Sequence, residues 1–111
     1  MKNVELGTME EEIARVKDSF LARIKSNTKI GTLFSYPHYA KYLKVDTYTL
    51  KMVVKELISD GIAIISVKRD DRIGLIICDS EDELDAYVEN IDYKIRRMQQ
   101  KIDNIKKAYY K

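Results

Sequence analysis

From Ser80 to Lys111 the chain contains neither glycine nor proline, and apolar residues recur through that stretch with a single rhythm. Leu84, Val88, Ile91, Ile95, Met98, Ile102, Ile105 and Tyr109 follow one another at intervals of 4, 3, 4, 3, 4, 3 and 4. This is the register of a coiled-coil seam. Ser80-Glu81-Asp82-Glu83 reads as a capping box, in which the Ser hydroxyl accepts from the amide three residues on and the Glu reaches back. A helix over 80–111 is therefore predicted, and a lone helix of that length with one apolar stripe needs a partner. The β-branched Val88, Ile95 and Ile102 fall at a positions and Leu84, Ile91, Met98 and Ile105 at d, a mixture that permits two strands. The eight seam residues are the predicted dimer interface.

Charge along the same helix is polarised. Seven acids and no base lie between Asp79 and Asp92, then seven bases and one acid between Lys94 and Lys111. A parallel pair would oppose Lys101 to Lys106 of the other chain, whereas an antiparallel pair centred near Ile95 lays the acidic half against the basic half and sets Asp85 opposite Lys106. The antiparallel homodimer is the expectation. Two other readings stay open: acids early and bases late also complement the helix dipole without a partner, and the seam can instead pack on the first helix of the same chain.

The rest of the chain bounds the function. At 111 residues there is room for one modest core, so a single domain with appended helices is expected. No apolar run approaches the length of about 20 residues that spans a bilayer. Met1–Glu5 lacks the apolar stretch of a secretory signal, and the lone Cys78 has no disulfide partner. The expectation is a cytoplasmic, nucleoid-associated protein with no membrane partner. His38 and Cys78 are the only His and Cys, too few for a zinc cluster or a Cys-His nucleophilic pair. The acids of 79–92 lack the alternating ligands and glycine of a calcium loop. No glycine loop that would cradle phosphate is present. No catalysis, metal or cofactor is expected; His38 is read as helix surface and Cys78 as a small buried hydrophobe.

Thr8-Met9-Glu10-Glu11 is a second capping box, and Met9, Ile13, Val16, Phe20 and Ile24, widened by Leu21, make the apolar face of a first helix over 8–26 that stops at Ser26-Asn27-Thr28. Pro37, the only proline, suits the first turn of a short helix running to about Lys44. Asp46 is a good cap for a third helix, with Leu50, Val53, Val54, Leu57 and Ile58 at helical spacing until Asp60-Gly61. Ile62–Val67 and Ile73–Cys78 are two β-branched runs joined by Lys68-Arg69-Asp70-Asp71-Arg72, which predicts a hairpin over 62–78 with a charged tip. The fold class expected is mainly α with a small β-hairpin, that is α+β.

Two short helices, a tight turn and a hairpin follow the order of a winged helix-turn-helix. Ala40 stands where the two helices approach, and Leu43, Val45, Leu50 and Val53 where they share a core. Over roughly residues 36–78 the chain resembles winged helix-turn-helix transcription regulators, especially the GntR-like DNA-binding domain. The residues that carry the resemblance are Val45, Thr49, Leu50 and Lys51, then Leu57, Gly61 and Ile62. The chain departs from that family at Tyr36-Pro37-His38, where a proline-serine start is usual, and in its wing tip, which has no glycine. It also carries Lys44 at a turn position often held by glycine. A left-handed lysine costs about 1 kcal/mol more than glycine, which leaves room for a longer or differently shaped turn.

The resemblance implies that the third helix enters the major groove, with Thr47, Tyr48, Lys51 and Met52 towards bases and Lys55 nearer a phosphate. In the wing, Lys68, Arg69 and Arg72 would reach the backbone or minor groove, with Asp70 and Asp71 weakening the local potential. Between residues 27 and 78 there are eight bases against five acids, although the whole chain carries only +2. The function expected is sequence-specific double-stranded DNA binding as a homodimer, as a transcriptional regulator acting by occlusion. A plasmid or phage partition or replication factor, and a winged-helix adaptor that binds protein, are the competing readings.

Overall fold

The computed structural model describes residues 2–111, with side chains from Glu10 onward. Four helices and one hairpin follow in the order α1 (Lys2–Ile30), α2 (Tyr36–Leu43), α3 (Thr47–Ser59), β1 (Ile64–Arg69), β2 (Arg72–Ile77) and α4 (Glu81–Tyr110). The fold is α+β and mainly helical, as the patterning predicts. It divides into two compact units, one ending at Cys78 and one from Asp79 to Lys111.

The first unit is built where three amphipathic helices converge. Val16, Phe20 and Ile24 line one face of α1, Tyr39 and Ala40 come from α2, and Leu50, Val53, Val54 and Leu57 from α3. Ile64 and Leu75 of the hairpin close the same core, with Ile13, Leu21, Leu43 and Val45 packed at its edge. The aromatic centre is ordered by edge-to-face contacts: Phe20 meets Tyr39 at 5.0 Å, and Phe34 meets Tyr39 at 5.8 Å.

Each of the first three helices ends in the same way. Thr32, Val45 and Ile62 donate their amides back to Asn27, Ala40 and Leu57, while the residues before them, Gly31, Lys44 and Gly61, donate to Thr28, Lys41 and Ile58. All three of the latter have positive φ. This pair of bonds is the Schellman motif, which satisfies carbonyls that the helix leaves unpaired. Starts are equally regular: Ser35, Asp46 and Ser80 accept from the amides of His38, Thr49 and Glu83.

The hairpin is a two-stranded antiparallel sheet in which Ile64 pairs with Ile77 and Arg69 with Arg72. A third segment joins it from between α1 and α2, since Leu75 donates its amide to the carbonyl of Phe34 at 2.9 Å. Gly74 permits that approach: a Cβ there would lie 2.7 Å from both the Leu33 Cβ and the Phe34 nitrogen. Thr28 adds a tie, its hydroxyl accepting from the Ile77 amide at 3.0 Å.

Boundaries of α1 and of both strands differ from expectation. The backbone is helical from Lys2, well before Thr8, because nothing in Lys2–Gly7 forbids helix; the Thr8 and Met9 side chains lie outside the described ones. At its other end α1 runs through Ser26-Asn27-Thr28 to Ile30 and stops at Gly31, where Asn27 and Thr28 serve as side-chain anchors instead of breakers. β1 begins at Ile64 rather than Ile62, because the Ile62 amide is already spent closing α3. It runs on to Arg69 while β2 starts at Arg72 and ends at Ile77, so Lys68, Arg69 and Arg72 pair within the strands and only Asp70-Asp71 remain as the tip.

Candidate nucleic-acid interface

Helix α3 has two sharply different faces. Leu50, Val53, Val54 and Leu57 are buried, and the helical period then turns Thr47, Tyr48, Lys51, Met52 and Lys55 outward together, all exposed. Tyr48 is 72% exposed and Met52 42%, so the face presents a phenol and a thioether beside two ammonium groups. The Lys51 ammonium lies 5.7 Å from the centre of the Tyr36 ring, which biases its direction across the start of α2. Asp46, the nearest acid at the amino end, is engaged in capping. Its carboxylate accepts from Thr49, and those hydrogen bonds hold its pKa below the usual aspartate value.

The turn before α3 keeps a short left-handed form. Lys44 has φ 59° and ψ 42°, so the lysine adopts the glycine-like conformation itself and the turn is not lengthened. Ala40, Leu50 and Val53 are buried and Leu43 and Val45 half-buried, the packing expected of those five positions.

The hairpin bases divide between two faces. Arg69 and Arg72 are a cross-strand pair and share one face, whereas Lys68 pairs with Ile73 on the other. The tip is a two-residue turn, Asp70-Asp71, with Asp70 at φ 56°. Lys68 and Arg72 are exposed and Arg69 is half-buried.

Helix α4 is a continuous amphipathic rod of about 45 Å at 1.5 Å per residue. Among the described residues none of its side chains is buried, and its seam from Leu84 to Tyr109 stays between 37% and 80% exposed. Glu81, Asp82 and Glu83 occupy the first turn and Lys107 the last, the order that the helix dipole favours. Tyr109 and Tyr110 meet edge to face at 4.9 Å.

Several residues that pattern reading does not single out also stand out in the first unit. An open groove of about 660 Å³ between α1 and α2 is lined by Arg15, Arg23 and Lys44 with no acid among its described lining residues. Arg23 donates to the Tyr42 hydroxyl and stacks over that ring at 4.3 Å. His38 is exposed, as expected, but lies flat on Phe34 with ring centres 4.0 Å apart. Basic residues at i and i+8 on one helix face were the available signal, and it is weak without knowing what packs beside them. Cys78 is half-buried just past β2.

Among the described residues there is no cluster of three metal-binding side chains, and no helix is long and apolar enough to cross a membrane. No family model, curated protein or solved structure matches the chain.

Proposed function

We propose that the protein is a winged helix-turn-helix factor that binds double-stranded DNA in a sequence-specific manner as a homodimer, acting as a transcriptional regulator by occlusion. The observation that carries this reading is the outward face of α3. Tyr48 and Met52 leave apolar surface in water, and Lys51 and Lys55 put positive charge beside it. A major-groove helix needs that combination: apolar contact for thymine methyls, donors for guanine acceptors, and cations for phosphate. Thr47 and Tyr48 add hydroxyls at the amino end of the helix, the end that approaches base edges.

In this reading the hairpin is the wing. Arg69 and Arg72 reach one phosphate strand together, and Lys68 contributes separately from the opposite face. Helix α4 supplies the dimer. An antiparallel pairing brings every seam residue into a layer: Leu84 with Tyr109, Val88 with Ile105, Ile91 with Ile102, and Ile95 with Met98, each twice about the two-fold axis. Beside that core Asp85 faces Lys106, at the cost of placing Lys94 opposite Lys101. The segregation of acids and bases favours this arrangement over a parallel one, in which acidic and basic halves would each face their own kind.

Selection of duplex fragments by the purified full chain, followed by Lys51→Ala and Arg69→Ala, tests the reading. Loss of a base-reading lysine costs about 1–3 kcal/mol and relaxes specificity at one position, whereas loss of a phosphate contact weakens all sequences alike. Failure of the intact chain to retain any duplex at low salt rejects it.

A further inference from the structure

Between the last turns of α1 and the start of α2 lies a second, smaller cavity of about 160 Å³, lined by Arg23, Asn27, Phe34, His38, Tyr39 and Tyr42. Its chemistry is uneven in a way that core packing does not require. Four of the six lining residues are aromatic rings, and none of the six is acidic. Arg23 and Asn27 sit one turn apart on α1, and His38, Tyr39 and Tyr42 share one side of α2, so two helices aim at the same space.

Its lining includes hydrogen-bond donors from both helices. The Asn27 side chain, only 5% exposed, donates from Nδ2 to the Tyr39 hydroxyl at 2.8 Å. Tyr39 is buried, 1% exposed as a residue; its hydroxyl accepts from Asn27, and no acceptor for the hydroxyl proton lies among the described residues. Burial pushes the Tyr39 pKa up, with Asn27 and Arg23 pulling part of the way back, so the proton remains at neutral pH. The Arg23 guanidinium is held over Tyr42 and bonded to its hydroxyl, which leaves further N–H groups of its five. A buried phenol proton and an anchored guanidinium next to flat rings ask for an acceptor with negative charge and a planar body.

We propose that this cavity is a binding site for a small aromatic carboxylate, its carboxylate received by Arg23 and the Tyr39 hydroxyl and its ring held among Phe34, His38 and Tyr42. Size agrees with chemistry, since a cavity of about 150 Å³ accepts a benzene ring. The site stands independently of the DNA-binding reading and is measured without DNA.

Benzoate is the probe, titrated into the full chain and followed by amide and side-chain chemical shifts, with acetate and benzamide at equal concentration as controls. Saturable benzoate binding is expected, with shifts centred on Asn27, His38 and Tyr39. Acetate and benzamide bind at least tenfold more weakly, because each lacks one half of the ligand. Arg23→Gln, at an exposed position, keeps the fold and weakens benzoate at least tenfold; Tyr39→Phe weakens it severalfold, and Arg23→Gln alone decides the matter if that second variant unfolds. Equal response to acetate or benzamide overturns the proposal. So does benzoate affinity unchanged in Arg23→Gln, shifts lying elsewhere, or no saturable binding.

Discussion

Lys44 carries a strained conformation in an otherwise favourable turn. The Schellman bonds from Lys44 and Val45 to Lys41 and Ala40 hold a left-handed lysine where α1 and α3 use glycine. Lys44→Gly is therefore expected to stabilise the first unit by up to about 1 kcal/mol, seen as a higher denaturant midpoint with an unchanged slope. Gly61→Ala runs the other way, losing a comparable amount at φ 99° although a Cβ there meets nothing. Asn27→Ala removes the donor to the buried Tyr39 hydroxyl and should cost about 1–3 kcal/mol by equilibrium unfolding.

Asp46 makes a pH prediction with a definite sign. Its folded pKa lies below the ordinary 3.8 because Thr49 bonds the charged form. The contribution is thus complete above the unfolded value and fades as pH falls through the folded one. Asp46→Asn, which caps without a charge, should retain stability at pH 7 and flatten this acid dependence below about pH 4. Asp46→Ala should lower the melting temperature at pH 7; equal melting temperatures for the two variants would count against the cap.

At the scale of elements, the hairpin depends on close approach more than on its two strands. Isolated two-stranded hairpins are marginal in water. This one is braced by the Phe34 carbonyl, the Thr28 hydroxyl and the absence of a side chain at Gly74. Gly74→Ala puts a methyl against backbone and should destabilise the unit by about 1–3 kcal/mol, with amide exchange accelerating first in β1 and β2. Existence and type of all six elements were legible from period, caps and β-branched runs. Their ends were less so, because ends are decided by competition for single amides. Ile62 has strand chemistry, yet its N–H closes α3. Asn27 and Thr28 have breaker chemistry, yet their side chains find Tyr39 and Ile77 and the helix continues.

For the whole molecule, the prediction concerns α4. A rod with its seam uncovered along its full length should associate, and sedimentation of the full chain should give a dimer that Ile95→Lys dissociates. In a Cys78→Ala background, Leu84→Cys should fail to crosslink to itself while Leu84→Cys and Tyr109→Cys chains crosslink to each other. In the antiparallel layers the two copies of residue 84 stand roughly 37 Å apart; efficient self-crosslinking at 84 means a parallel pair.

Sequence alone determined the helices, the hairpin, the two-sided α3 and the seam of α4, because periodicity and capping act over a few residues and leave their pattern in the chain. The left-handed Lys44 turn, the split of the hairpin bases between two faces, and the joining of Arg23 and Asn27 to His38, Tyr39 and Tyr42 were visible only in the structure. The first two are local, but residue types do not choose between a left-handed and a longer turn or between a two-residue and a five-residue tip. The last depends on how α1 and α2 close on one core, which joins residues too far apart along the chain for any local pattern to connect them.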